Sequence, residues 1–167
     1  FEDRLVTKVY CGIIGSVPKE ADGRIELSLA KISSAEKGWR MIPAKKGKPS
    51  ITDWSVRSHE SGRALIEFRP TTGRTHQIRV HAASGLGQPL LGDPVYGNRK
   101  SASRTMLHAE TLIIQREGKP DIIAHAPMPL DFIKLGFPAS DPGADNPAGD
   151  EVANVPAENA DNRASDG

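Results

Sequence analysis

The chain has 167 residues, enough for one domain with a buried core. Its net charge of +1 hides an asymmetry: residues 138–167 hold seven acids and one base (−6), which leaves 21 Lys/Arg against 14 Asp/Glu (+7) on residues 1–137. The single cysteine excludes an internal disulfide, and no apolar run reaches the roughly 18 residues of a membrane-spanning helix.

Residues 4–15 are rich in β-branched side chains and predict a strand. Residues 18–23 predict a turn. Residues 24–30 alternate Ile25, Leu27 and Leu29 against Arg24, Glu26 and Ser28, the pattern of a half-buried strand. Residues 39–42 predict another short strand, and residues 44–49 a basic, flexible loop. Residues 51–58 and 63–69 read as a hairpin across Glu60-Ser61-Gly62, the second arm supported by the alternation of Ala64, Ile66 and Phe68.

Residues 71–81, Thr-Thr-Gly-Arg-Thr-His-Gln-Ile-Arg-Val-His, then concentrate two arginines, two histidines and a glutamine in eleven positions. So many planar donors imply an anionic partner. Thr75 is a good helix N-cap and Gly85 a good C-terminal stop, which predicts a short helix over 76–84. A strand fits the same run, because periodicity alone does not settle so short a segment. As a helix, its N-terminus and the Arg74 guanidinium make a phosphate site. Gly92-Asp93-Pro94 is turn chemistry, in which Asp93 bonds its own backbone two residues on.

Residues 107–115 predict a strand, paired with residues 121–125 across residues 117–120. The body is therefore an α+β domain, a mostly antiparallel mixed sheet with one or two short helices. Residues 138–167, rich in Ala, Asp, Asn, Pro and Gly, are expected to form a disordered acidic tail.

The run Thr72-Gly-Arg-Thr-His-Gln-Ile-Arg-Val-His81, followed by Gly87, Pro89, Gly92-Asp93 and Tyr96-Gly97, resembles the signature of the ribosomal large-subunit pseudouridine synthase A family. Leu107-His-Ala109 and Ala126-Pro-x-Pro-x-Asp131 match the two short motifs that follow it, and Lys8-x-Tyr10 the one that precedes it. The resemblance spans about Arg4 to Phe137. The family's nucleophilic aspartate lies in an Arg-Leu-Asp-x-x-Thr-Ser-Gly stretch upstream of Lys8-x-Tyr10, and this sequence has no such stretch.

The resemblance implies a pseudouridine synthase catalytic fold and isomerisation of uridine in ribosomal or transfer RNA, without metal, nucleotide or redox cofactor. Arg79 corresponds to the cation that pairs with the missing aspartate, and a guanidinium holds a carboxylate at two points. Tyr10 corresponds to the active-site tyrosine, placed to stack on uracil and to act as base towards the C5 proton. Arg74, Thr75, His76 and Gln77 are assigned to RNA contacts at the helix start, with His81 a further RNA contact and Leu107 the apolar wall of the uracil pocket. His108 reads as structural, and Asp93 as a turn residue rather than the nucleophile.

Other chemistries lack their motifs. The five histidines and Cys11 show no zinc spacing, and there is neither a phosphate-binding Gly-x-x-x-x-Gly-Lys loop nor a Gly-x-Ser-x-Gly elbow. The expectation is a cytoplasmic monomer that binds RNA. The chain, which starts at Phe1, reads as the C-terminal part of a catalytic domain, inactive alone. The alternative is a non-catalytic RNA-binding module. In that case Arg79 should have acquired a new acid or been replaced, since an unpaired buried guanidinium costs about 3–5 kcal/mol.

Overall fold

The computed structural model describes residues 6–138. The expected start of the first strand at residues 4–5 and the expected acidic tail from residue 139 lie outside the described residues. Seven strands, β1 (Val6–Ile14), β2 (Asp22–Ser34), β3 (Gly38–Pro43), β4 (Lys48–Glu60), β5 (Arg63–Pro70), β6 (Leu107–Ile114) and β7 (Ile122–His125), form one sheet in the order β3-β2-β4-β5-β1-β6-β7. Every pairing in it is antiparallel. Among the described residues, two short α-helices accompany the sheet, α1 (Gln77–Val80) and α2 (Leu130–Lys134), with a 3-10 turn at Arg99–Ser101. The α+β class is as the strand pattern indicates.

The β4–β5 hairpin turns where the sequence places it. Ser61 and Gly62 take φ of 50° and 77°, the left-handed pair that matches the twist of a two-residue hairpin. β4 begins three residues earlier than its alternation suggests, at Lys48, because Lys48 to Ser50 pair with β2.

Alternation divides β1 and β5 between two cores. Tyr10, Ile14, Ala64, Ile66 and Phe68 face one side, where Ile78 and Ala82 from the helical segment and Leu90 close over them. Cys11, Ile13 and Leu65 face the other, under Met106, Met128, Phe132 and Phe137. Gly12 marks a close approach on the first face: a Cβ there would lie 2.7 Å from Leu90 and 3.1 Å from Phe68. Beside Tyr10 the strand thus has room for no side chain.

Two irregularities in the ladders meet on the second face. The β4–β5 register slips between Val56 and Ser58, leaving Arg57 as the extra residue, and the β1–β6 register slips at Val9/Tyr10, leaving Glu110 as the extra residue. The two bulged side chains reach each other. Arg57 holds Glu110 through both terminal nitrogens at 2.8 and 2.6 Å and Glu67 through Nε at 2.6 Å. Cys11 lies beside this cluster, and burial, with Glu110 adding to it, pushes its thiol up to about 12. Bulges re-aim side chains, and here they make an ion cluster that no strand pattern foretells.

Candidate active site

The cluster at residues 71–81 is a loop followed by a helical segment, not a strand. α1 continues through a widened π turn over His81–Gly85, so the helical stretch covers the expected span with different ends. Thr75 is not its cap. The residue before the helix is His76, in the left-handed region (φ 54°, ψ 17°) with no side-chain cap bond. Gln77 does the capping work in reverse, its Oε1 accepting the Arg74 backbone N–H at 3.0 Å. Histidine tolerates this conformation better than most residues, and such strain gathers at functional sites.

Gln77 and His81, assigned to RNA from the sequence, are interior. Gln77 is buried and uses all four bonding positions of its amide. Oε1 accepts from Thr72 and Arg74, while Nε2 donates to the Ile51 carbonyl at 2.9 Å and to Thr52 at 3.0 Å. It anchors the loop and has no group left for a ligand. His81 is fully buried between Thr52, at 2.9 Å from Nδ1, and Ser50, at 3.2 Å from Nε2. Ser50 gives its one proton to the Leu27 carbonyl, so it must accept from His81 Nε2–H. Nδ1 is then the acceptor for Thr52. Burial lowers the imidazole to about 4, and it stays neutral.

A cavity of about 410 Å³ is lined by Lys8, Tyr10, Arg74, His76, Arg79 and Leu107 among others, and Gln77 also borders it. Tyr10 and Leu107 come from neighbouring strands, Leu107 standing opposite Gly12 in the register. They form the apolar wall, and Lys8, Arg74 and Arg79 the cationic one. Gly73 of the loop lies against the Lys8 ammonium, where a Cβ would make ordinary contact at 3.5 Å. Among the described residues, no carboxylate lines this cavity. Thr75 is exposed and outside the lining.

Arg79 has an acid that sequence reading missed. Its Nε and Nη2 each lie 2.7 Å from an oxygen of Asp93, which is fully buried. Asp93 Oδ1 also accepts the N–H groups of Val95 at 2.9 Å and Tyr96 at 3.0 Å. The turn expected there exists, and it carries the counter-ion as well. Burial alone would raise the Asp93 carboxyl, but the guanidinium and the two N–H groups outweigh it and hold it below the ordinary range. Both oxygens are occupied, which leaves no free carboxylate for nucleophilic attack. Arg79 Nη1 has no hydrogen-bond acceptor among the described residues, so the arginine can still donate.

His76 joins the cavity to a chain of rings. Its Nδ1 lies 3.0 Å from the Tyr96 hydroxyl, which accepts the Met41 N–H at 3.0 Å. The Arg79 guanidinium sits 5.1 Å from the centre of the Tyr96 ring. Burial first, then the nearby Arg79 charge, lowers the His76 imidazole below its usual value. His108, away from the cavity, approaches the Ala126 carbonyl at 3.2 Å and packs edge-on to Phe132, in keeping with a structural role.

The antiparallel sheet thus carries a cavity with an apolar and a cationic wall, its arginine oriented by a buried acid. Comparison with known proteins gives the family. The profile of the RNA pseudouridylate synthase family matches residues 1–84. An RNA pseudouridine synthase of Zymomonas mobilis is 50% identical over 139 residues, 82% of this chain and 64% of that protein. The ribosomal large subunit pseudouridine synthase D of the same organism is 35% identical over 117 residues, 70% of this chain and 36% of that one. The solved structure of human RNA Pseudouridylate Synthase Domain Containing 1 superposes with a TM-score of 0.63 at 27% identity, covering 84% of this chain and 70% of that chain. The chain belongs to the RNA pseudouridine synthase family, in the group that includes the ribosomal large-subunit enzymes. It spans 64% and 42% of the length of two curated relatives it matches.

Proposed function

We propose that this chain is the uridine-holding part of an RNA pseudouridine synthase that acts on ribosomal or transfer RNA. The observation that carries the reading is the convergence of Tyr10, Leu107 and Arg79 on one cavity. Its size and its apolar wall suit a base taken out of its stack, and its cations suit the phosphates beside that base. Arg74 and His76 contact the RNA at the cavity rim.

The reaction breaks the N1–C1′ bond of uridine and makes a C5–C1′ bond; the C5 proton leaves and N1 takes up a proton. A carboxylate acts at the sugar, and Arg79 orients it through the donor that Asp93 does not use. Tyr10 stacks on the uracil and accepts the C5 proton. No carboxylate lines the cavity among the described residues, so the attacking acid comes from outside them. The free thiol of Cys11 supports a reducing, cytosolic setting.

The test is release of tritium from [5-³H]uridine RNA, with pseudouridine identified by nucleoside mass spectrometry. The full-length protein should turn over and residues 1–167 alone should not. Full-length protein lacking all turnover on ribosomal and transfer RNA would refute the reading.

A second reading, a non-catalytic RNA-binding module, is favoured by one observation. Asp93 supplies Arg79 with the acid that such a module needs. Retention of the arginine therefore does not by itself argue for an upstream aspartate. RNA binding without turnover by the full-length protein would select this reading.

A further inference from the structure

We propose that Trp39 is a stacking platform for an RNA nucleotide next to the target uridine. The inference rests on the RNA-binding reading above and extends it to a second subsite. β3 is an edge strand of the sheet, and Trp39 on it is 47% exposed. By contrast Trp54, on β4, is buried in the core. An indole left half in water at a sheet edge contributes little to folding, yet this one is held in place.

The ring of Trp39 stacks on His76, with centroids 5.0 Å apart and planes 20° from parallel. His76 is in turn set edge-on to Tyr96, at 5.7 Å and 86°, and hydrogen-bonded to it. Tyr96 is fixed by the Met41 N–H of β3 itself and by Arg79 against its ring. The indole is thus tied to the cavity from both sides, through β3 and through the ring chain. Its geometry is set before any ligand arrives, which lowers the cost of binding.

Two features select a nucleotide as the occupant. His76 lines the cavity on one side and supports Trp39 on the other, so the platform stands one stacked ring from the cavity. That offset serves a base adjacent in the strand, not a remote one. The Lys31 ammonium lies 5.0 Å from the centre of the indole ring. A cation beside an exposed aromatic face matches the two halves of a nucleotide, a phosphate and a base. Lys31 is exposed, and its flexible stem lets it move aside as a base arrives and meet that base's phosphate instead.

The chain's two tryptophans make the test direct. A single-stranded, uridine-containing RNA oligonucleotide is titrated into the chain and tryptophan emission is followed. Binding should quench the emission of Trp39 and leave that of buried Trp54. Trp39→Ala should bind about 10-fold more weakly, within the range measured for base–aromatic stacks. Trp39→Phe should recover most of that loss, and neither variant should shift the thermal midpoint. Oligonucleotide binding with no quenching, or with equal affinity for wild type and Trp39→Ala, overturns the platform and leaves the RNA-binding reading intact. A wild-type chain that binds no RNA at all overturns both.

Discussion

His81 makes this protein's stability depend on mild acid. In the fold it is neutral, with Nε2–H given to Ser50 and Nδ1 accepting from Thr52. A second proton on the ring would destroy the Thr52 bond and place an unpaired charge in the core. Burial therefore holds its pKa at about 4, against 6.5 in the unfolded chain. The folded-state value is the lower one, so the unfolded chain binds more protons between the two. The contribution is complete above pH 6.5 and is lost as pH falls towards 4. Between pH 7 and pH 5 the linkage amounts to about 2 kcal/mol. That is a visible fraction of a domain stability of about 5–15 kcal/mol.

The assay is urea unfolding at both pH values for the wild type and for His81→Gln, which keeps a donor for Ser50 and does not titrate. The carboxyls held below their ordinary range, Asp53, Asp93, Glu110 and Asp131, are common to both proteins and cancel in the comparison. The wild type should lose about 2 kcal/mol more than the variant on going to pH 5. Equal losses would refute a neutral, buried His81 and the hydrogen-bond chain deduced from it.

Asp93→Asn leaves the largely buried Arg79 without its counter-ion and should destabilise the fold by about 3 kcal/mol in urea unfolding; an unchanged midpoint would show the pair to be dispensable. Glu110→Gln weakens the contact between the two bulges and should cost about 2–3 kcal/mol in urea unfolding, while Arg57 stays paired with Glu67; an unchanged midpoint would show the contact to be dispensable. Cys11, buried with its thiol pushed up to about 12, should resist iodoacetamide at pH 8 in the folded protein and react at once in urea, whereas rapid native labelling would contradict its placement.

The strands of this protein were legible from local pattern. Ile25, Leu27 and Leu29 alternate against polar neighbours, and Glu60-Ser61-Gly62 punctuates a hairpin, so β2, β4 and β5 follow from a period of two and from turn chemistry. The density of donors at residues 71–81 likewise pointed to the site, and its motif resemblance pointed to the family. Tertiary structure alone sorted those donors. Gln77 and His81 are planar donors like Arg74 and His76, but a helical segment turns half its residues inward, where Ser50, Thr52 and Ile51 of β4 absorb their bonds. Asp93 was correctly a turn residue by sequence, and pairing it with Arg79 across fourteen positions needed the fold. The same holds for Arg57 with Glu110 and for Trp39 with His76, which lie 53 and 37 positions apart and meet only in three dimensions. Propensity and periodicity are properties of neighbouring residues, so they determine the elements and their faces. Which charge finds which counter-charge depends on register, bulges and packing, and these exist only once the sheet has closed over its two cores.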